Sequence, residues 1–270
     1  MRSRHWPFML LALLFSSLAM AGCGTNPDAQ AQPAAVPTAA PAAPLIINTP
    51  PPMPTSAPRA PTPTPPPPPA APAPAGATAL LQADFGPATD LSQWAVRDAA
   101  DALSGPSIWQ TQDGHLVPAS DANTLPSMYT SALVTGDPQW QDYQVSVSAY
   151  VSANDEVGVV ARSGDQGYYI FKMLPEGRTP ALVLARYEVA NHALIPLATA
   201  DSGGYIERRW HQLTLTVQGS QLTASVDGQV VLRASDTTYT RGQAGVSGYP
   251  EGGLEFDNLT VQALTASNQP

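Results

Sequence analysis

Between residues 143 and 151 the side chains change character at every step. Tyr143, Val145, Val147, Ala149 and Val151 alternate with Gln144, Ser146, Ser148 and Tyr150. The same period of two returns in Leu213, Leu215 and Val217, set against Thr214, Thr216 and Gln218, and in Leu222, Ala224 and Val226, set against Thr223 and Ser225. A period of two puts every second side chain on one face of a pleated strand, so each strand has an apolar side that must be covered by a second layer. No window after residue 79 sustains the i, i+3, i+4, i+7 pattern of an amphipathic helix. Turn residues fall between the alternating runs. Asp113-Gly114 separates Ile108–Gln112 from 115–117, Asp227-Gly228 separates 222–226 from 230–234, and Gly219-Ser220 joins another pair. Asp-Gly supplies the two positive φ angles that a tight hairpin needs. About a dozen short strands at this spacing predict an all-β domain of two antiparallel sheets packed as a sandwich or jelly roll.

Several short motifs carry a family resemblance in their order. Ala83-Asp84-Phe85 with Leu91-Ser92-Gln93-Trp94 fits an opening strand, and Val157-Gly158-Val159-Val160-Ala161-Arg162 with Gly167-Tyr168-Tyr169-Ile170 follows. Next come Trp210-His211-Gln212-Leu213-Thr214-Leu215 and Leu222-Thr223-Ala224-Ser225-Val226-Asp227-Gly228. Gly242-Gln243-Ala244-Gly245-Val246 and Leu254-Glu255-Phe256-Asp257-Asn258-Leu259 close the series. Together they resemble the concanavalin A-like lectin/glucanase superfamily in its laminin-G-like jelly-roll branch. The resemblance implies a two-sheet jelly roll. It says much less about activity, since one fold hosts unrelated functions.

Ahead of the domain the composition changes abruptly. Arg2, Arg4 and His5 precede an uncharged apolar run at 8–18, and Ala19-Met20-Ala21-Gly22 lead to Cys23, the one cysteine of the chain. Basic start, short apolar run and small residues before a cut are the layout of a secretory signal. The position of Cys23 resembles the lipobox of bacterial lipoproteins, in which the cysteine is diacylated. Two acyl chains at ~0.8 kcal/mol per buried CH₂ make a stable anchor where one is marginal. From Gly24 to residue 78 the chain is Pro, Ala and Thr, with Asp28 and Arg59 its only charges. Such a stretch cannot bury enough surface to offset chain entropy, and its prolines favour extended polyproline II of ~3.1 Å per residue. The expected organisation is a signal peptide at 1–22, an anchored, disordered Pro-rich stalk at 23–78, a domain at 79–266 and a disordered tail at 267–270. A proline-rich ligand for an aromatic groove is the other use of this composition.

The formal charge of -9, with Arg2, Arg4 and Arg59 outside the domain, makes nucleic acid and anionic lipid surfaces poor partners. The membrane is reached through the lipid anchor only, and a monomer is expected. Catalytic patterns are sparse. Glycosidases of the resembled superfamily carry E-x-D-x-x-E; here Glu255 and Asp257 are followed by Thr260, so the second Glu is missing. No G-x-S-x-G, H-E-x-x-H or P-loop occurs, and His115, His192 and His211 are isolated. No cofactor is required. A structural Ca²⁺ held by Asp84 and Asp257, with oxygen donors at 98–101, is conceivable if the first and last strands pair, against the alternative that both carboxylates cap turns. The basic residues Arg162, Lys172 and Arg186 fall on three successive expected strands (157–163, 168–173, 181–187). Side by side they would line a face with Tyr168 and Tyr187, extended by Trp109 and Trp140. Aromatic rings and planar guanidinium groups are what a sugar ring requires. Three functions remain open: a non-catalytic module binding extracellular or cell-wall glycan, a glycan-cleaving hydrolase of the same fold, and a structural or protein-interaction domain.

Overall fold

Period-two alternation resolves into two stacked antiparallel sheets in the computed structural model, which describes residues 64–69, 77–98, 107–120, 131–152, 155–248 and 253–264. The strands in chain order are β1 (Thr78–Ala83), β2 (Ala95–Arg97), β3 (Ile108–Gln112), β4 (His115–Ser120), β5 (Ser131–Thr135), β6 (Tyr143–Val151), β7 (Val157–Gly164) and β8 (Gly167–Met173). They continue as β9 (Leu182–Glu188), β10 (Ala193–Ala200), β11 (Arg209–Gln218), β12 (Gln221–Val226), β13 (Gln229–Ser235), β14 (Gln243–Gly248) and β15 (Leu254–Ala263). One sheet runs β13-β12-β11-β6-β15-β4-β3, with β1 also paired to β15; the other runs β10-β9-β8-β7-β14-β5-β2. This is the expected two-sheet jelly-roll sandwich.

The core lies where the apolar edges meet. Val145, Val147 and Ala149 of β6, Leu213 and Leu215 of β11, and Phe256 and Val261 of β15 face Val157, Val159, Phe171 and Leu184 of the opposite sheet. Burial of this kind, at roughly 25 cal/mol per Å² of apolar surface, is the main term holding the layers together. A second apolar cluster covers the outward face of the seven-stranded sheet: Ala132, Val134, Val160, Tyr168, Ile170, Val183, Ala185 and Tyr187. All seven residues of β8 are buried, on both of its faces. At both Asp-Gly turns the two central residues have positive φ (53° and 87° at 113–114, 49° and 78° at 227–228), as the hairpin reading requires.

Cys23, the signal segment and all of the stalk before residue 64 lie outside the described residues, as does the tail. Of the expected stalk before residue 77, the described part is residues 64–69. They rest on the eight-stranded sheet, through hydrogen bonds to Glu255, Trp210 and Asn258.

Candidate functional site

On β8, Tyr168, Ile170 and Lys172 alternate with Tyr169, Phe171 and Met173, so the first three point outward and the others into the core. Register pairs Tyr168 with Tyr187 and Lys172 with Val183 on β9, and Tyr187 with Leu194 on β10. Tyr168 and Tyr187 stack, with ring centroids 5.0 Å apart and planes 28° off parallel. Beyond Leu194 the outward face opens into a cavity of about 500 Å³, lined by Glu156, Lys172, Arg178, Val183, Leu194 and Thr199, among others. Lys172 forms an ion pair with Glu156 at its wall. Asp201 brings a second carboxylate to the same cavity. An apolar floor with a few charged groups is the usual make-up of a small-ligand pocket.

The expected basic row is not one surface, and two of its members need correcting. Arg162 should follow Val160 outward, but β7 bulges between Ala161 and Gly164 and Arg162 takes φ 50°. The bulge breaks the alternation and turns the side chain into the end of the sandwich, where it is 1% exposed. There Nε donates to the Gln141 carbonyl at 3.0 Å, and Nη1 to the carbonyls of Gly219 at 2.9 Å and Tyr239 at 3.0 Å. Nη2 meets Asp142 at 3.2 Å. Arg186 pairs in register with inward-facing Tyr169 and is held by Glu188 at 2.9 Å and Asp236 at 2.6 Å. Asp236 also accepts from the Tyr169 hydroxyl at 2.6 Å. Burial alone would raise the Asp236 carboxyl, but the donors Tyr169, Thr238 and Arg186 outweigh it and hold it at about 2. Both arginines thus serve a polar seam that ties strand ends together. Lys172, Tyr168 and Tyr187 do share the outward face.

Trp109 and Trp140 belong to the interior. Trp109 packs on Phe256 and donates its indole N–H to Ser131 at 3.0 Å, while Trp140 meets Tyr143 edge-on. Neither extends a groove on the seven-stranded sheet. His211 is buried and satisfied: its Nε2 accepts from the Ile206 amide, so Nδ1 carries the proton and donates to Asp227 at 2.9 Å.

Strands β1 and β15 do pair, which brings Asp84 near Asp257. Among the described residues, however, no group of three or more His, Cys, Asp or Glu side chains is placed to hold a metal. Asp84 and Asp257 each also accept a neighbouring backbone amide, from Gly86 and Asn258. Of the further oxygen donors expected at 98–101, residues 99–101 lie outside the described residues.

Sequence reasoning missed one cluster, on the outward face of the eight-stranded sheet. Register sets Trp210, Tyr150 and Glu255 in one row across β11, β6 and β15, and Gln212, Ser148 and Asp257 in the next. Leu116 pairs with Phe256, which brings His115 beside Asp257. His115 lies 3.8 Å from Glu255 and 3.6 Å from Asp257, with its ring 5.3 Å from that of Trp210. Burial holds the Asp257 carboxyl above the ordinary aspartate range, against the opposing pull of the Asn258 amide and of His115. The signal is in the sequence, with Glu255 and Asp257 in one E-x-D string and Trp210 in a separate strand motif, but only strand order joins them to His115.

Two stacked antiparallel sheets define a jelly-roll sandwich, with a cavity on one outer face. The chain belongs to the family of the galactocerebrosidase C-terminal lectin domain, whose model matches residues 124–264, just over half of its length. That match takes in β5 to β15 and leaves out β1 to β4. No curated protein matches the sequence. Among solved structures, an endo-acting O-glycanase of the human gut microbiota is similar at 11% identity and TM-score 0.51, covering 70% of this chain and all of that one. A GlcNAcα1-4Gal-releasing endo-β-galactosidase from Clostridium perfringens is similar at 12% identity and TM-score 0.50, covering 72% and 64%. The carbohydrate-binding module CBM66 from Bacillus subtilis aligns at 14% identity and TM-score 0.49, covering 63% and 96%. At these identities the likeness is one of fold.

Proposed function

We propose that the domain binds carbohydrate without cleaving it, in the cavity on the outward face of the seven-stranded sheet. The observation that carries this reading is the cavity itself, about 500 Å³ with Lys172, Glu156, Asp201 and Thr199 around an apolar wall of Val183, Leu194 and Pro196. Membership in a lectin-domain family supports it. A saccharide offers hydroxyl groups that both donate and accept, and C–H faces that pack on apolar walls. Charged groups of both signs beside Leu194 and Pro196 suit that mixture. Cys23, placed where a lipobox has its cysteine, supports display of this domain on the outer side of a membrane. Acyl-chain labelling that Cys23→Ser abolishes is the expected result for that part.

The test of binding is a glycan array probed with the intact protein, followed by calorimetry on the best ligand. Thr199→Trp, which fills the cavity from its rim, is expected to weaken binding at least about tenfold without lowering Tm by more than a few degrees. Equal affinity in that variant, or no glycan bound by the intact protein, overturns the reading. A second reading, glycan hydrolysis, is favoured by one observation, that Glu156 and Asp201 line the same cavity. Two carboxyl groups are what glycoside cleavage requires. Reducing-end release from the bound glycan, lost in Glu156→Gln, would establish it in place of simple binding.

A further inference from the structure

Residues 64–69 lie over the Trp210–Glu255–His115 cluster of the eight-stranded sheet, and their burial repeats every third residue on two of three edges. Thr64 and Pro67 are half-buried, Pro66 and Pro69 are exposed, and Pro68 is half-buried beside exposed Pro65. Three residues per turn is the polyproline II repeat, so the 64/67 edge meets the sheet, the 66/69 edge faces solvent, and the 65/68 edge is covered only at Pro68. The polar contacts keep the same step. The Trp210 indole N–H donates to the Pro65 carbonyl at 2.6 Å, and the Asn258 amide donates to the Pro68 carbonyl at 3.1 Å, one turn further along. Ahead of them the Thr64 hydroxyl donates to Glu255 at 2.9 Å.

The chemistry of this face matches such an occupant. A proline run has no backbone N–H, so it offers only carbonyl acceptors and flat apolar rings. The face presents donors at Trp210 and Asn258, and a tilted aromatic pair, Trp210 and Tyr150, with centroids 5.5 Å apart. Asn258 takes φ 52° at a bulge in β15, which breaks the strand's regular alternation where its side chain meets the proline run.

We propose that Trp210, Tyr150, Glu255, Asn258 and the neighbouring His115 form a groove for proline-rich extended peptide, closed in cis by residues 64–69. The tether is thereby clamped to the domain, and a proline-rich segment of another molecule enters only by displacing it. Eight residues separate the strap from β1, which places it at an effective concentration in the millimolar range. The three hydrogen bonds, at roughly 0.5–1.5 kcal/mol each, and the packing of proline rings on the face hold it there. The groove is on the opposite sheet from the glycan cavity, so either assignment can fail without the other.

The experiment uses the full-length chain and a full-length variant with residues 64–69 replaced by Gly and Ser. The indole N–H resonance of Trp210, assigned by its loss in Trp210→Phe, is followed by solvent exchange. We expect it to be protected in the native chain, exposed in the replaced chain, and protected again when a synthetic peptide of residues 60–72 is added. The peptide should bind the native chain at least about tenfold more weakly than the replaced chain. Asn258→Gly, which keeps the positive φ and removes the donor, should weaken peptide binding about fivefold in the replaced chain. Equal exposure of the indole in native and replaced chains overturns the proposal. So does equal peptide affinity for both, or restoration of protection by an oligosaccharide but not by the peptide.

Discussion

Replacing Arg162 by Ala tests whether this residue is a structural tie, as its surroundings require. Three carbonyls, of Gln141, Gly219 and Tyr239, would lose their guanidinium donor. Stranding a buried acceptor costs about 1–3 kcal/mol, with the lower end fitting carbonyls that keep other contacts. The Asp142 partner is 35% exposed and also accepts from the Gly219 amide, so water and that amide recover most of the ion pair. Lost packing of one of the largest fully buried side chains adds to the total. The loss comes to about 3–5 kcal/mol. At roughly 2–4 °C per kcal/mol for a domain of this size, Tm should fall by on the order of 10 °C. The assay is urea unfolding at pH 7, followed by tryptophan fluorescence and circular dichroism together. Arg162→Lys should recover little, because one ammonium cannot reach acceptors spread around a planar fork. A loss under about 1 kcal/mol for Ala refutes the reasoning. So does full recovery by Lys, or an Arg162→Lys variant with native stability but lost glycan binding.

The polar seam also sets a pH dependence. Asp236 titrates at about 2 in the folded chain against 3.8 for the free residue. A depressed carboxyl contributes stability present above 3.8 and lost as pH falls toward 2. Asp236→Asn should therefore flatten the urea midpoint over that window while lowering it at pH 7. Asp257 has the opposite sign: burial raises its folded pKa, so it favours folding when protonated and opposes folding as pH rises. Asp257→Asn is expected to equal or exceed the native midpoint at pH 7 and to fall behind it below the carboxyl's titration. Gly167 has φ 147°, and a Cβ there would strike the Tyr187 carbonyl and the Tyr239 hydroxyl. Gly167→Ala should cost well over 1 kcal/mol by the same unfolding assay.

What could be read in the chain beforehand divides along a physical line. The period of β6, β11 and β12 and the two Asp-Gly turns depend on neighbours in sequence, and each stands where alternation put it. Even the Asp84–Asp257 neighbourhood followed from the idea that the first and last strands pair. Arg162 did not yield to the same rule, because a bulge that leaves no compositional mark shifts its phase. Arg186 obeys it: alternation along unbroken β9 sets it on the face opposite Tyr187 and beside inward Tyr169, so a row holding both Arg186 and Tyr187 conflicts with the period itself. The cavity beside Lys172 was legible only as one lysine, because its other walls come from 178–180 and 194–201, brought together by β9 and β10. The Trp210–Glu255–His115 cluster needs β11, β6, β15 and β4 to be adjacent, an order that crosses most of the domain.

Contacts of 64–69 with Trp210, Glu255 and Asn258 also decide how tension enters the fold. Load arriving from the amino-terminal side meets the flat of β15 and β11 before it reaches β1. Force is then shared in shear over several points instead of unzipping one marginal strand. For a domain pulled from its amino-terminal side, that grip works as a strain relief.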